Sequence, residues 1–238
     1  MVGAATEAGA LAVTAAALAT ALATGLGAAP LAFATRVSRS WLGIANVAAA
    51  VLMLAASGML FYEGSRSGAS KIVLGAVVGV VAIALAARWL SKRESWRFEA
   101  LRGASARTAV IIVAVMTVHS VAEGVGVGVA FGDGRSLGLL TALAIAVHNI
   151  PEGLAISLVL VPRGVSVRHA AGWSVVSSLP QPLLALPAFM FVEAFAQALP
   201  VGLGFAGGAM TWMVAARIGP DALHSLRSSR KRIAFPLT

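Results

Sequence analysis

Two short motifs place histidine and glutamate side chains inside apolar stretches of helix length. The sequence reads HSVAEG from His119 and HNIPEG from His148, so a glutamate follows each histidine by four residues. Residues i and i+4 share one face of a helix, which places His119 beside Glu123 and His148 beside Glu152. Imidazole nitrogens and carboxylate oxygens are ligands for zinc, iron and related divalent ions. The pair of motifs therefore indicates a metal site without thiolate ligands, since the chain has no cysteine.

The composition indicates that the helices carrying these motifs span a membrane. Hydrophobic residues make up 59% of the 238 residues and charged residues 11%, and the mean hydropathy is +0.90. A soluble domain carries about 25% charged residues. We predict one all-α transmembrane domain, residues 1–238, built as a polytopic helix bundle with about seven spans. The apolar segments are residues 8–33, 41–63, 71–90, 108–131, 137–160, 170–192 and 199–217.

The basic residues between these segments predict the orientation of the chain. Three of the 18 lysines and arginines fall on one side of the predicted membrane, and the other fifteen fall on the opposite side. By the positive-inside rule, the N-terminus is external and the C-terminus cytoplasmic, with a basic cytoplasmic loop at 91–107 and a basic tail at 218–238. This placement explains the net charge of +9 without a nucleic acid partner. The N-terminal segment lacks the basic region expected of a cleaved signal peptide.

The predicted depth of the two motifs favours a bound cation. Both histidines fall near the middle of their spans, where a charged side chain costs about 2.5–3.5 kcal/mol on insertion scales. A short connection joins the two spans, so they are expected to be antiparallel neighbours with facing motifs. A divalent cation between Glu123 and Glu152 would remove their mutual repulsion. The residues alone leave Ser120 and Asn149 open between ligation and hydrogen bonding between helices.

The succession of HSVAEG and HNIPEG on consecutive spans resembles the ZIP (Zrt-, Irt-like) family of divalent metal transporters, in its prokaryotic type. Weaker similarity extends to AASGMLFYEG in the second span and GFAGGAMTWMVAARIGPDA in the seventh. The resemblance implies transport of zinc, and also of iron, manganese or cadmium, towards the cytoplasm through a two-metal site near mid-membrane. It implies an integral protein of a prokaryotic inner (plasma) membrane with no prosthetic group and no enzymatic activity. Its partners would be the metal ions, the lipid bilayer and, in a homodimer, a second copy of the chain.

The same resemblance implies a ligand set, carried over by motif position. The residues are His119, Ser120 and Glu123 on the fourth span, His148, Asn149 and Glu152 on the fifth, Met59 on the second and Gln181 on the sixth.

The sequence departs from the family pattern at three places. Gln181-Pro182 stands where many prokaryotic members have Glu-Pro, and Ala216-Arg217 stands where an acidic pair is common. The family usually has eight spans, whereas this sequence is expected to stop after seven.

Two other functions stay open at this point. The expected lack of an eighth span favours a membrane-embedded metal sensor or partner-binding protein. A zinc-dependent intramembrane hydrolase would use Glu123 or Glu152 as ligand or base, although no further nucleophile or oxyanion donor is evident.

Overall fold

The computed structural model describes residues 2–33, 39–92 and 104–220, and this part of the chain is helical almost throughout, with no β-strand. The predicted all-α class is therefore confirmed. Most of the predicted basic loop and tail, residues 93–103 and 221–238, lies outside the described residues. The parts of these two segments that are described, 91–92, 104–107 and 218–220, are helical.

Eight α-helices and three short helical turns follow one another along the described residues. The α-helices are α1 (Val2–Leu26), α2 (Pro30–Phe33), α3 (Arg39–Lys92), α4 (Ala104–Asp133), α5 (Arg135–Leu160), α6 (Val167–Ser177), α7 (Pro180–Ala194) and α8 (Leu199–Met213). Turns of 3-10 helix at Val161–Arg163 and Ala196–Ala198 follow α5 and α7, and a π-helical turn at Val214–Ile218 follows α8.

The long helix α3 is bent at Gly68, and this bend separates two of the predicted spans. Gly68 has φ 151° and ψ 97°, a conformation that residues with a Cβ rarely adopt. The arms on either side, 39–67 and 69–92, contain the second and third predicted segments. Five stretches of the described chain are long and apolar enough to cross a membrane, and one of them, Ala50–Trp89, includes parts of both arms. The membrane helix bundle is thus confirmed, and the number of seven spans stays a prediction.

A glycine follows each motif glutamate, and both glycines allow a neighbouring backbone to come close. A Cβ added at Gly124 on α4 would lie 2.7 Å from the carbonyl oxygen of Gln181 on α7. A Cβ added at Gly153 on α5 would overlap the carbonyl oxygen of Thr24 on α1. These contacts bring α7 against α4 and α1 against α5 at the level of the two motifs. Close helix packing thus accounts for both positions.

The break between α6 and α7 places Gln181 in the first turn of α7. The prolines at 180 and 182 predict that the carbonyls of Val176 and Ser178 lose their helical partners. In the structure, Val176 O accepts from the Leu179 amide at 3.3 Å and Ser178 O accepts from the Gln181 amide at 3.0 Å. The tightened turn therefore gives both carbonyl oxygens a hydrogen-bond donor, and neither is left as a free acceptor. The Gln181 side chain is fully buried.

Candidate metal centre

Helices α4 and α5 bring the two His/Glu pairs into one buried group. One potential ligand atom from each of His119, Glu123, His148 and Glu152 lies within 4.8 Å of the others. Their exposed fractions range from 0% at Glu123 to 5% at Glu152, so bulk water does not screen their charges. The facing arrangement predicted from the short α4–α5 connection is what brings the two pairs together. We call these four side chains the His/Glu group.

The two imidazoles converge on one oxygen of Glu123. Glu123 Oε1 lies 3.2 Å from His119 Nε2 and 3.5 Å from His148 Nε2, and the two Nε2 atoms are 3.3 Å apart. Glu152 Oε2 lies 3.7 Å from His148 Nε2. Ligands about 2.0–2.1 Å from a tetrahedral zinc ion are separated from one another by about 3.3 Å. The group therefore has the spacing of a divalent metal site that needs only small side-chain movements to close on an ion.

Several polar atoms of the group lack hydrogen-bond partners among the described residues. These atoms are Glu123 Oε1, both carboxylate oxygens of Glu152, and Nδ1 of His119 and of His148. An unsatisfied buried polar atom costs about 1–3 kcal/mol, and a charged one costs more. A cation held by the oxygens and the Nε2 atoms would offset this cost. The Nδ1 atoms differ from those of most ligating histidines, whose second ring nitrogen is usually hydrogen-bonded.

The remaining residues of the predicted ligand set have different surroundings. Gln181 Nε2 donates to Glu123 Oε2 at 2.5 Å, and Asn149 Nδ2 donates to Gln181 Oε1 at 3.1 Å. Ser120 is fully buried, and its hydroxyl has no partner among the described residues. The Met59 side chain is 37% exposed on the first arm of α3. Gln181 thus contacts both Asn149 and Glu123. Ligation by Met59, Ser120, Asn149 or Gln181 stays a prediction.

The structure adds one residue that the sequence analysis did not single out, Thr20 on α1. Its hydroxyl donates to Gln181 Oε1 at 2.6 Å, and its carbonyl oxygen accepts from Asn149 Nδ2 at 2.8 Å. The first span reads as an alanine- and leucine-rich segment, and isolated threonines in such spans commonly bond their own helix. The sequence signal that could have singled out Thr20 is the recurrence of threonine at positions 20 and 24, which lie on one face of α1.

Comparison with known sequences assigns the family. The sequence model of the ZIP zinc transporter family matches residues 92–235, which is more than half of the chain and includes both motifs. The chain belongs to the ZIP family. The membership predicted from HSVAEG and HNIPEG is therefore confirmed.

Individual ZIP relatives match different shares of the chain. The putative zinc transporter At3g08650 of Arabidopsis thaliana is 47% identical over 216 residues, covering 90% of this chain and 35% of the relative. The zinc transporter GufA of Myxococcus xanthus is 31% identical over 121 residues, covering 50% of this chain and 48% of the relative. The zinc transporter ZIPB of Bordetella bronchiseptica is 32% identical over 112 residues, covering 47% of this chain and 36% of the relative. The matched regions thus span between a third and a half of these relatives' lengths.

Proposed function

We propose that the protein transports divalent metal ions, zinc foremost, across a membrane towards the cytoplasm, with the His/Glu group as the site that each ion occupies on its way. The observation that carries this proposal is the convergence of four buried ligand atoms within 4.8 Å on two apolar helices. Nitrogen and oxygen ligands without sulfur suit zinc and also admit iron, manganese and cadmium. Such a site binds an ion less tightly than a thiolate site, which favours passage over storage.

Transport is favoured over the two alternative functions. A zinc hydrolase needs an open coordination position that water and substrate can reach, whereas no side chain of the group is more than 5% exposed. The relatives that match this chain are named zinc transporters. We therefore propose a non-enzymatic protein whose metal is cargo, with no prosthetic group. A metal sensor would bind the ion equally well, so only a measurement of net movement separates these two functions.

The test is zinc uptake into sealed vesicles that contain the purified full chain. The parent is expected to accumulate zinc faster than protein-free vesicles do. Glu152→Ala should lower the initial rate at least about tenfold, since removing a group that touches or orients a metal typically costs 10–100-fold. Glu193→Ala removes an exposed carboxylate near the end of α7 and serves as the matched control. Metal binding without uptake by the parent would favour a sensor, and an unchanged rate in Glu152→Ala would contradict the assignment of the site.

The proposed orientation places the N-terminus outside and the C-terminus in the cytoplasm of a prokaryotic inner membrane. Because the chain has no cysteine, single-cysteine variants report accessibility without background. Ser136→Cys lies in the exposed first turn of α5, next to the α4–α5 connection, and Arg168→Cys lies at the exposed start of α6. A membrane-impermeant maleimide added to intact cells should label Ser136→Cys only, and Arg168→Cys should react once the cells are opened. The reverse pattern would overturn the proposed orientation.

The proposed partners beyond the metal ions are the lipid bilayer and, in a homodimer, a second copy of the chain. Crosslinking of the single-cysteine variants in native membranes would reveal such a dimer.

A further inference from the structure

A hydrogen-bonded network behind the His/Glu group joins four helices. It consists of Thr20 on α1, Asn149 on α5 and Gln181 on α7, and it ends on Glu123 of α4. Gln181 Oε1 accepts from Thr20 Oγ1 at 2.6 Å and from Asn149 Nδ2 at 3.1 Å, and Gln181 Nε2 donates to Glu123 Oε2 at 2.5 Å. We call Thr20, Asn149 and Gln181 the amide clasp. All three are at most 1% exposed.

A backbone carbonyl fixes the direction of every hydrogen bond in the amide clasp. Amide nitrogen and oxygen atoms are told apart by their hydrogen-bond partners. The Thr20 carbonyl oxygen can only accept, so the Asn149 atom that lies 2.8 Å from it must be the nitrogen Nδ2. That nitrogen also faces Gln181, which must therefore present its oxygen. The other end of the Gln181 amide is then its nitrogen, and it must donate to Glu123 Oε2.

This direction leaves Gln181 with no atom for a metal ion. A carbonyl oxygen has two lone pairs, and those of Gln181 Oε1 are engaged by Thr20 and Asn149. The amide nitrogen has no lone pair that binds metals. The Thr20 hydroxyl also lies 2.7 Å from Ala17 O within its own helix. Donation to Ala17 alone would leave two oxygens 2.6 Å apart without a proton between them, so the clasp is the satisfied arrangement.

We propose that Gln181 is a positioning residue, held by Thr20 and Asn149, that fixes Glu123 so that the His/Glu group binds one divalent ion per chain. The clasp occupies Glu123 Oε2 and leaves Oε1 directed at the two imidazoles, 3.2 and 3.5 Å away. The inference rests on the proposed function, because it takes the His/Glu group as the metal site. It replaces the ligand role for Gln181 that the family resemblance implied. Thr20 and Gln181 thereby tie α1 and α7 to the metal-binding helices.

The test compares two threonines one turn apart on α1. Thr20→Val removes the hydroxyl of the clasp and keeps the shape of the side chain. Thr24→Val is the matched control, because Thr24 is equally buried. Its hydroxyl lies 2.8 Å from Ser178 Oγ and 3.5 Å from the Thr20 carbonyl oxygen, and it contacts no side chain of the amide clasp. Thr20→Ser restores the hydroxyl without the methyl group. The measurements are zinc affinity by competition titration, bound zinc per chain by elemental analysis, and thermal stability, all on the purified full chain.

We expect Thr20→Val to weaken zinc binding about tenfold, within the range found for groups that orient metal ligands. Thr24→Val and Thr20→Ser should stay within about threefold of the parent, since an intact clasp keeps Glu123 oriented. The parent should bind one zinc ion per chain. Equal affinities of Thr20→Val and Thr24→Val, failure of Thr20→Ser to restore affinity, or two ions bound to the parent would each overturn the proposal. If Thr20→Val does not fold, the stoichiometry of the parent still tests the proposal, because two bound ions would overturn it.

A separate variant shows which proposal has failed. Loss of binding in Glu123→Gln together with full binding in Thr20→Val would reject the amide clasp and leave the metal site standing. Retention of binding in Glu123→Gln would instead reject the metal site on which both proposals depend.

Discussion

Glu123→Gln is expected to abolish zinc binding at the His/Glu group and to reduce zinc uptake to the rate of protein-free vesicles. Glu123 Oε1 is the oxygen that faces both imidazoles, at 3.2 and 3.5 Å, whereas Glu152 lies 3.7 Å from one of them. The amide clasp determines how the introduced amide is oriented. Its oxygen must accept from Gln181 Nε2, so its nitrogen is left facing the two histidines. A negatively charged ligand oxygen is thereby replaced with a group that does not bind metals.

The loss in affinity should exceed about 100-fold, because it removes a ligand rather than a group that only orients one. The measurement is zinc titration of the purified protein, followed by uptake into vesicles at equal protein content. Glu193→Gln, at an exposed carboxylate of α7, is the matched control and should behave as the parent does. Zinc affinity within about threefold of the parent value in Glu123→Gln would mean that the ion is held elsewhere in the chain.

Gln181→Glu is expected to raise the amount of bound zinc from one ion per chain to two, and to tighten binding overall. The introduced carboxylate can still accept from Thr20 and Asn149, but it cannot donate to Glu123 Oε2, which the present amide reaches at 2.5 Å. Two carboxylate oxygens at that separation need a proton or a cation between them. When zinc is present, the cation is the largest local charge. The two carboxylate oxygens should then move apart to about 3.3 Å and hold the ion between them. Uptake should become slower, because a more tightly held ion leaves less readily.

Elemental analysis and competition titration near neutral pH measure both quantities. Gln197→Glu places the same charge at an exposed position after α7 and controls for the change in net charge. If Gln181→Glu binds no more zinc and binds it no more tightly than Gln197→Glu does, α7 does not reach the metal site. Such a result would also contradict the orientation of the amide clasp.

The His/Glu pairs were within reach of sequence reasoning because their geometry is local. A separation of four residues places His119 beside Glu123 and His148 beside Glu152 on any α-helix. The short α4–α5 connection then made a facing arrangement the simplest one. The family could be identified for the same reason, since each of its two motifs is a continuous stretch of six residues. The composition, with 59% hydrophobic residues, was sufficient to indicate a membrane helix bundle.

The role of Gln181 could be inferred only from the tertiary structure, because its hydrogen-bond partners are distant in the sequence. Gln181 stands where the family resemblance implies a carboxylate ligand, so the sequence suggested a weakened metal ligand at this position. Its surroundings come from Thr20, which is 161 residues away, and from Asn149, which is 32 residues away. Which end of an amide faces a metal site follows from its hydrogen-bond partners alone. No local pattern could indicate that both lone pairs of its oxygen are engaged.

The glycine after each motif glutamate shows what the sequence determined and what the tertiary structure added. The sequence by itself determined the ligand types, their shared helix faces and the apolar setting that makes a cation favourable. The structure decided which helices approach the motifs, because Gly124 admits the backbone of α7 and Gly153 admits that of α1. Those two approaches place Gln181 against Glu123 Oε2 and Thr20 against Gln181 Oε1. Such close packing arises from the shapes of whole helices, which the residues of one segment do not specify.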